Sequence, residues 1–253
     1  MKNINLNDVK VIFLTQSAGE TVYELVQDTS KKMGKTIFIT GSDFSSGDSN
    51  LYIQRAPRYN NSSLFSRLVS WTAFFFSALL RMRSISGSPV LVITSNPPIL
   101  PLLGSLFKKL RSWKYIVWVL DVYPDVLVQN NLVREKNLLY KTWSRVNSYM
   151  YREAEYVITL GEVMSQRLMK YSVKRDKLRI LPNWVNVFQY YPIFKESNIF
   201  ARKYTKFSNL NVMYSGNLGL THDIHTVFAG IKMLEKNDGI SFFIIGGGVE
   251  NWK

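Results

Sequence analysis

Two carboxylates flank a proline turn near the middle of the chain, directly after an apolar run. The run Tyr115 to Leu120 reads as a buried strand, and Asp121 and Asp125 follow it in the order Asp-Val-Tyr-Pro-Asp. Open α/β sheets bind their ligands at the carboxyl ends of such strands, and a carboxylate placed there can give or take a proton. Asp121 is the stronger candidate for a catalytic residue, because Asp125 could instead cap the next helix.

A glycine-bearing turn near the other end of the chain is typical of a phosphate-binding site. Residues 211–215 read as a short strand, Gly216 follows it, and a helix can begin near Asp223. Glycine lets a ligand approach the backbone closely, and the amides at a helix N-terminus favour an anion. A second turn of this kind, Gly246 to Gly248, follows the apolar run 241–245. The alternative is a plain tight turn that binds nothing.

Short apolar runs alternate with helical segments through most of the chain, which predicts an α/β fold with a parallel sheet covered on both faces. The carboxyl ends of parallel strands share one edge, so the residues that end these runs should line a single crevice. Gly19, in the loop after the first run, should lie on the same side. Six run ends are polar or glycine: Gln16, Gly41, Asn96, Asp121, Glu162 and Asn183.

The composition describes a globular protein with a basic first portion. Of 253 residues, 46% are hydrophobic, and the net charge is +14, of which residues 1–190 hold +12. Such a surface implies an anionic partner, namely nucleic acid, a phosphorylated substrate or the inner leaflet of a membrane. The chain has no cysteine, which excludes thiol chemistry and favours a reducing compartment. Its only histidines, His222 and His225, are too few for a zinc site, so we expect no metal.

The segment Leu64 to Arg83 has an unusual composition for an α/β protein. Thirteen uncharged residues separate Arg67 from Arg81, too few for a membrane-spanning helix, which needs ~20. Its aromatic side chains and flanking arginines suit a helix at a lipid interface: Trp71, Phe74, Phe75 and Phe76. The alternative is a buried crossover helix between two strands.

These patterns divide the chain into three segments. Residues 1–187 form the first domain, 188–208 a linker, and 209–253 the start of a second α/β domain. The last segment holds only a strand, a helix and a strand, which is too little for an independent core. We therefore expect the chain to be cut short within its second domain.

The order of the run ends resembles the GT-B-fold glycosyltransferases, specifically retaining family four and its bacterial enzymes of capsule, O-antigen and exopolysaccharide assembly. Each match is short, but six of them occur in the family's order at strand ends. They are Thr94-Ser95-Asn96-Pro97-Pro98, Asp121-Val122-Tyr123-Pro124-Asp125, Ile158-Thr159-Leu160-Gly161-Glu162, Ile180-Leu181-Pro182-Asn183-Trp184, Tyr214-Ser215-Gly216-Asn217-Leu218-Gly219 and Ile245-Gly246-Gly247-Gly248.

The resemblance implies two Rossmann-like domains, the first for the acceptor and the second, here incomplete, for a nucleotide-sugar. Asp121 would lie near the reacting sugar. The acceptor-side cleft would take in Gly19, Asn96, Asp125, Glu162 and Asn183. The donor would contact Gly216, Asn217, Gly246 and Gly248. No cofactor or metal is implied, because backbone amides and basic side chains can neutralise the leaving diphosphate.

The implied reaction moves a sugar from a nucleotide-sugar to a polyprenyl-diphosphate-linked or glycan acceptor, in the cytoplasm at the inner membrane face. The chain departs from the family in the loop after the first strand, where Ser17-Ala18-Gly19 supplies one glycine instead of two. It also ends before the family's acidic donor residue, so we expect it to be inactive alone. A basic, non-enzymatic protein that binds a membrane surface or RNA is the alternative, although no RNA-binding motif is present.

Overall fold

The computed structural model describes residues 8–216 and 223–247, and the chain divides into two compact units. The first unit is Met1–Val185 and the second is Asn186–Lys253.

The first unit is built on a seven-stranded sheet in the order β3-β2-β1-β4-β5-β6-β7. Every neighbouring pair of strands is parallel, which confirms the sheet predicted from the apolar runs. Strands that are buried on both faces need apolar residues at successive positions, and β1 and β2 are buried throughout. The strands are β1 (Val11–Thr15), β2 (Thr36–Thr40), β3 (Leu51–Arg55), β4 (Val90–Thr94), β5 (Tyr115–Trp118), β6 (Tyr156–Thr159) and β7 (Leu178–Ile180).

Helices cover both faces of this sheet. The larger core lies on the side of the second, third, fifth and sixth helices, and the smaller core lies under the first helix, where Val22 and Val26 pack against Phe13. The segment Leu64 to Arg83, in which the sequence predicted a helix, is helical throughout. The helices are α1 (Glu20–Met33), α2 (Leu64–Arg83), α3 (Pro101–Arg111), α4 (Asp125–Gln129), α5 (Leu138–Glu153) and α6 (Glu162–Met169).

The two faces of helix α2 have different environments: one is buried in the protein, and the other is exposed. One face packs into the core, where Trp71 is 8% exposed and Phe74 is 0% exposed. These two side chains, which the sequence grouped with the lipid-facing residues, therefore belong to the core. The opposite face is apolar and exposed, and we call it the α2 outer face: Phe65, Leu68, Val69, Phe76 and Leu80. In the described part of the chain, no helix combines the length and apolar character that crossing a bilayer requires.

The second unit contains a parallel pair of strands joined by a helix. Its elements are α7 (Ile199–Tyr204), β8 (Leu210–Ser215), α8 (Ile224–Met233) and β9 (Ile240–Ile245). Asp223 caps α8 as its type predicts, because its carboxylate accepts a hydrogen bond from the Thr226 amide. Helix α7 forms within the stretch 188–208, capped by Asn198, and its Phe200 ring packs edge-on against Phe243 of β9.

Candidate functional site

A cavity of about 800 Å³ opens at the carboxyl edge of the sheet, where β5 and β6 end. Strand β5 continues into the Asp-Val-Tyr-Pro-Asp turn, and β6 continues into the start of α6. The volume lies within the range of pockets that bind small molecules. Its polar lining comes from both strand ends and the helices that follow: Asp121, Asp125, Gln129, Glu135, Gly161, Glu162 and Arg167.

Asp121 is held in place through its backbone and not through its carboxylate. The amides of Leu120 and Asp121 both donate to the Ser95 hydroxyl, at 2.9 and 3.2 Å, which ties the end of β5 to the end of β4. Within residues 8–216 and 223–247, no hydrogen bond or ion pair to the Asp121 carboxylate is found. Asp121 is exposed at the cavity mouth, but the surrounding protein removes part of the hydration of its carboxylate and so raises its pKa. The carboxylate is therefore available to a ligand and is a stronger base than an ordinary aspartate.

Asp125 has a different environment, although it is only four residues away. Its buried carboxylate accepts hydrogen bonds from Tyr140 at 2.9 Å and Tyr171 at 2.6 Å, and it forms an ion pair with Arg167. Burial favours the neutral carboxyl, but these three donors outweigh it and hold the pKa of Asp125 below its ordinary value. Glu135 approaches the other side of Arg167 at 3.8 Å.

These contacts make Asp125 an anchor between α4, α5 and the α6 region. Asp125 is the first residue of α4, and its side chain makes no capping hydrogen bond, so the alternative that it caps the helix is wrong. It lines the cavity wall, but its oxygens are already occupied by protein donors. Sequence reasoning missed Arg167 and Tyr171, which lie 42 and 46 residues further along the chain.

The other acceptor-side candidates divide into two groups. Glu162 is exposed at the start of α6 and faces the same cavity as Asp121. Gly19, Asn96 and Asn183 follow β1, β4 and β7 at the same edge of the sheet, but they do not line this cavity. The structure therefore brings together Asp121, Asp125 and Glu162 and leaves the other three elsewhere along the edge.

Two of the six strand ends do not face a crevice, which corrects that prediction. The buried side-chain amide of Gln16 donates to the Ser70 carbonyl at 2.8 Å and so fastens α2 to the end of β1. Gly41 is packed so closely that an added Cβ would lie 2.7 Å from the Pro57 carbonyl oxygen. Polar or glycine character at a strand end can thus serve packing as well as ligand contact.

The donor-side glycines lie in the second unit, at the carboxyl ends of its two strands. Gly246 has a φ of +145°, and a Cβ added to it would lie 1.9 Å from the carbonyl oxygen of Gly216. The two turns therefore approach each other so closely that Gly246 cannot be replaced without displacing backbone. Asn217 and Gly248 lie outside the described residues.

A comparison with known sequences finds one relevant relative. No protein-family model matches the chain. A probable glycosyltransferase of Pseudomonas aeruginosa, WbjE, is 28% identical over 195 residues. The match covers 76% of this chain and 48% of WbjE, so the chain spans about half the length of that curated relative.

Several solved structures share the fold. Anabaena Alr3699/HepE, in complex with UDP and glucose, superposes with a TM-score of 0.62 at 12% identity, covering 95% of this chain and 62% of HepE. Sucrose-phosphate synthase of Thermosynechococcus elongatus gives 0.64 at 11% identity, covering 94% and 70%. WaaG, a glycosyltransferase involved in lipopolysaccharide biosynthesis, gives 0.56 at 12% identity, covering 95% and 64%.

At these identities the structural likeness establishes the fold, which is α/β of the GT-B type. The sequence comparison also leads to a glycosyltransferase. Nothing in the comparisons supports the RNA-binding alternative.

Proposed function

We propose that this chain is part of a glycosyltransferase that moves a sugar from a nucleotide-sugar to a lipid-linked or glycan acceptor in surface polysaccharide synthesis. The observation that carries the proposal is Asp121, an unengaged carboxylate with a raised pKa that lines a cavity of about 800 Å³. It stands where open α/β sheets bind ligands. The similarity to WbjE, a probable glycosyltransferase, supports the reaction class.

In this proposal the first unit holds the acceptor. The Asp121 carboxylate accepts a hydrogen bond from an acceptor hydroxyl and takes its proton, which a raised pKa favours. As the acceptor oxygen bonds to the anomeric carbon of the donor sugar, the bond from that carbon to the diphosphate breaks on the same face, and the nucleoside diphosphate leaves. Glu162, which lines the same cavity, offers a second acceptor for sugar hydroxyls. Gly19, Asn96 and Asn183 extend the acceptor surface along the same sheet edge.

The second unit is proposed to contact the donor diphosphate through the turns at Gly216 and Gly246, together with Asn217 and Gly248. The close approach of Gly216 and Gly246 supports this role, because it leaves backbone and not side chain at the surface of both turns. We further propose that the reaction needs no metal or organic cofactor and proceeds with retention of the anomeric configuration, as in glycosyltransferase family four.

A panel of nucleotide-sugars tests the reaction class. We expect the protein to bind one of them in calorimetry. Release of the nucleoside diphosphate when an acceptor glycan is added, with no loss in EDTA, would show in addition that the chain is active alone, against the expectation from its sequence. Uridine nucleotides come first in the panel, because HepE was crystallised with UDP and glucose. Proton NMR of the product then gives the anomeric configuration. Binding of RNA with no binding of any nucleotide-sugar would contradict the proposal.

The α2 outer face supports a location at the inner leaflet of a membrane. Exposed apolar side chains on one helix face, within a basic unit, suit an anionic lipid surface. Phe65 and Phe76 are 77% and 55% exposed on this face. Arg83 extends it, and no ion pair to Arg83 is found among the described residues.

Replacing Phe65 and Phe76 together by serine is expected to weaken binding to anionic vesicles about tenfold or more, since burying a phenylalanine contributes ~1.5–3 kcal/mol. Flotation with vesicles of phosphatidylglycerol and phosphatidylcholine measures the effect. Met33→Ser is the matched control, because Met33 is 60% exposed at the C-terminal end of α1, which packs against the smaller core on the other face of the sheet. Equal flotation of all three proteins would remove the membrane part of the proposal.

A further inference from the structure

The side chain of Ser95 continues the pairing of β4 with β5 beyond the last paired residues, Thr94 and Trp118. The Ser95 amide donates to the Trp118 carbonyl at 3.0 Å, as a parallel ladder requires. One step further, a continued ladder would take the Leu120 amide to the Ser95 carbonyl. That amide donates instead to the Ser95 hydroxyl, at 2.9 Å. A side-chain oxygen has therefore replaced a backbone acceptor at the edge of the candidate site.

The same hydroxyl also turns the chain at Asp121. The Val119 amide donates to the Ile158 carbonyl of β6 at 2.8 Å, whereas the Leu120 amide faces β4. Successive amides of an extended chain point to alternate neighbours, so the Asp121 amide would face β6 again. It donates instead to the Ser95 hydroxyl, at 3.2 Å on the β4 side. The backbone consequently leaves the extended conformation between Leu120 and Asp121, where the direction of the Asp121 side chain is set.

Two consecutive amides that converge on one point form a concavity that binds anions. Here the Ser95 hydroxyl fills it, since its oxygen can accept two hydrogen bonds and Ser95 is only 3% exposed. A carboxylate would bind these amides more strongly than a hydroxyl does. The Asp121 carboxylate is attached to the second of the two residues, and aspartate side chains do bond to their own backbone amide. In the described part of the chain it makes no such bond and lines the cavity.

We propose that Ser95 is a positioning residue: its hydroxyl occupies the Leu120 and Asp121 amides and so keeps the Asp121 carboxylate unengaged and directed into the cavity. Being neutral, the hydroxyl satisfies both amides without placing a second negative charge beside Asp121. The inference rests on the proposed function, because it concerns the carboxylate that serves there as the base. It assigns a role to a residue that does not itself line the cavity.

Carbon-13 NMR titration of the aspartate carboxyl carbons tests the proposal on the whole chain without any substrate. The signal that disappears in Asp121→Asn belongs to Asp121. In Ser95→Ala the two amides are vacant, so we expect the Asp121 carboxylate to turn back onto them. Its pKa should then fall to the ordinary range of aspartate or below, because amide hydrogen bonds favour the charged form. Ser95→Thr keeps the hydroxyl oxygen and should keep the raised pKa.

Ser105→Ala is the matched control for the loss of a buried hydroxyl. Ser105 is 4% exposed, and its hydroxyl bonds to that of Tyr115 at 2.9 Å, at the opposite end of β5. This variant should leave the pKa of Asp121 unchanged, even if it lowers the melting temperature as much as Ser95→Ala does. Ser95→Cys, which has nearly the same shape and a weak acceptor, serves in its place if Ser95→Ala does not fold.

An unchanged pKa of Asp121 in Ser95→Ala, with a loss of stability like that of Ser105→Ala, would overturn the inference and make Ser95 a structural residue only. An equal fall of the pKa in Ser95→Ala and Ser105→Ala would also overturn it. In an assay that supports sugar transfer, Ser95→Ala should lower kcat by about 10–10²-fold, as misplacement of a reacting group does.

The titration and the transfer assay can fail separately. A lowered pKa in Ser95→Ala, together with full transfer by Asp121→Asn, would sustain the positioning of the carboxylate and remove its proposed catalytic role. An unchanged pKa in Ser95→Ala, together with loss of transfer in Asp121→Asn, would remove the positioning and sustain the catalytic role.

Discussion

In an assay whose nucleotide-sugar and acceptor support transfer, replacement of Asp121 by asparagine is expected to lower kcat by about 10²–10⁴-fold, the usual contribution of a positioned general base. The substitution keeps the size of the side chain and the backbone hydrogen bonds to Ser95, so only the proton acceptor is lost. Release of the nucleoside diphosphate during transfer measures the effect. Asp28→Asn, an exposed carboxylate on α1, is the matched control and should retain full activity. A change of less than threefold at Asp121 would exclude it as the base.

The pH profile and the stability of the same variant separate a catalytic role from a structural one. Because desolvation raises the pKa of Asp121, the acid side of the pH–rate profile should lie above the ordinary range of aspartate and should vanish in Asp121→Asn. A carboxyl whose pKa is raised on folding stabilises the protein when protonated, and this is lost as pH rises through the folded-state pKa. Asparagine avoids that loss, so the melting temperature at pH 7 should be unchanged or higher.

Replacement of Asp125 by alanine is expected to destabilise the first unit by about 3–5 kcal/mol, as removal of one partner from a buried ion pair does. Arg167, Tyr140 and Tyr171 would all lose a common hydrogen-bond acceptor. Urea unfolding at pH 7 measures the loss. Asp28→Ala should cost less than about 0.5 kcal/mol, since it changes an exposed side chain.

The double substitution Asp125→Ala with Arg167→Leu should recover part of the loss, because it removes a guanidinium that has lost its close carboxylate partner and keeps only Glu135 at 3.8 Å. A loss below 1 kcal/mol for Asp125→Ala alone would show that the cluster does not stabilise the fold. The pH dependence follows from the lowered pKa of Asp125. Its contribution is complete above the ordinary pKa of aspartate and disappears as pH falls through the lower, folded-state value.

The sheet and the position of Asp121 could be predicted from sequence because both depend on local patterns. Continuous apolar runs such as Val11–Thr15 specify buried parallel strands, and the residue after such a strand must lie at the ligand-binding edge. It could not be predicted that protein donors bind the Asp125 carboxylate, whereas none among the described residues binds the Asp121 carboxylate. This difference depends on donors from α5 and the α6 region. A local sequence pattern carries no information about contacts between residues that are 42 or 46 positions apart.

The orientation of helix α2 was also beyond prediction from local sequence patterns. Its residues are apolar around most of the helix, so the sequence contains no contrast that would select the core-facing side. Tertiary contacts, such as the hydrogen bond from Gln16 to the Ser70 carbonyl, determine which side of α2 faces the core. The aromatic residues consequently divide between two environments: the buried face for Trp71 and Phe74, and the exposed face for Phe76.

The Asp125 cluster also determines which chemical stress the first unit can resist. It joins α4, α5 and the α6 region as a cross-link would, yet the chain contains no cysteine, and the bonds are an ion pair and two phenolic hydrogen bonds. Thiol reductants and oxidants have no target in such a cross-link, so its formation requires no oxidative folding machinery. Strong acid does have a target, and because protonation of a carboxylate is reversible, the cross-link should re-form when neutral pH is restored.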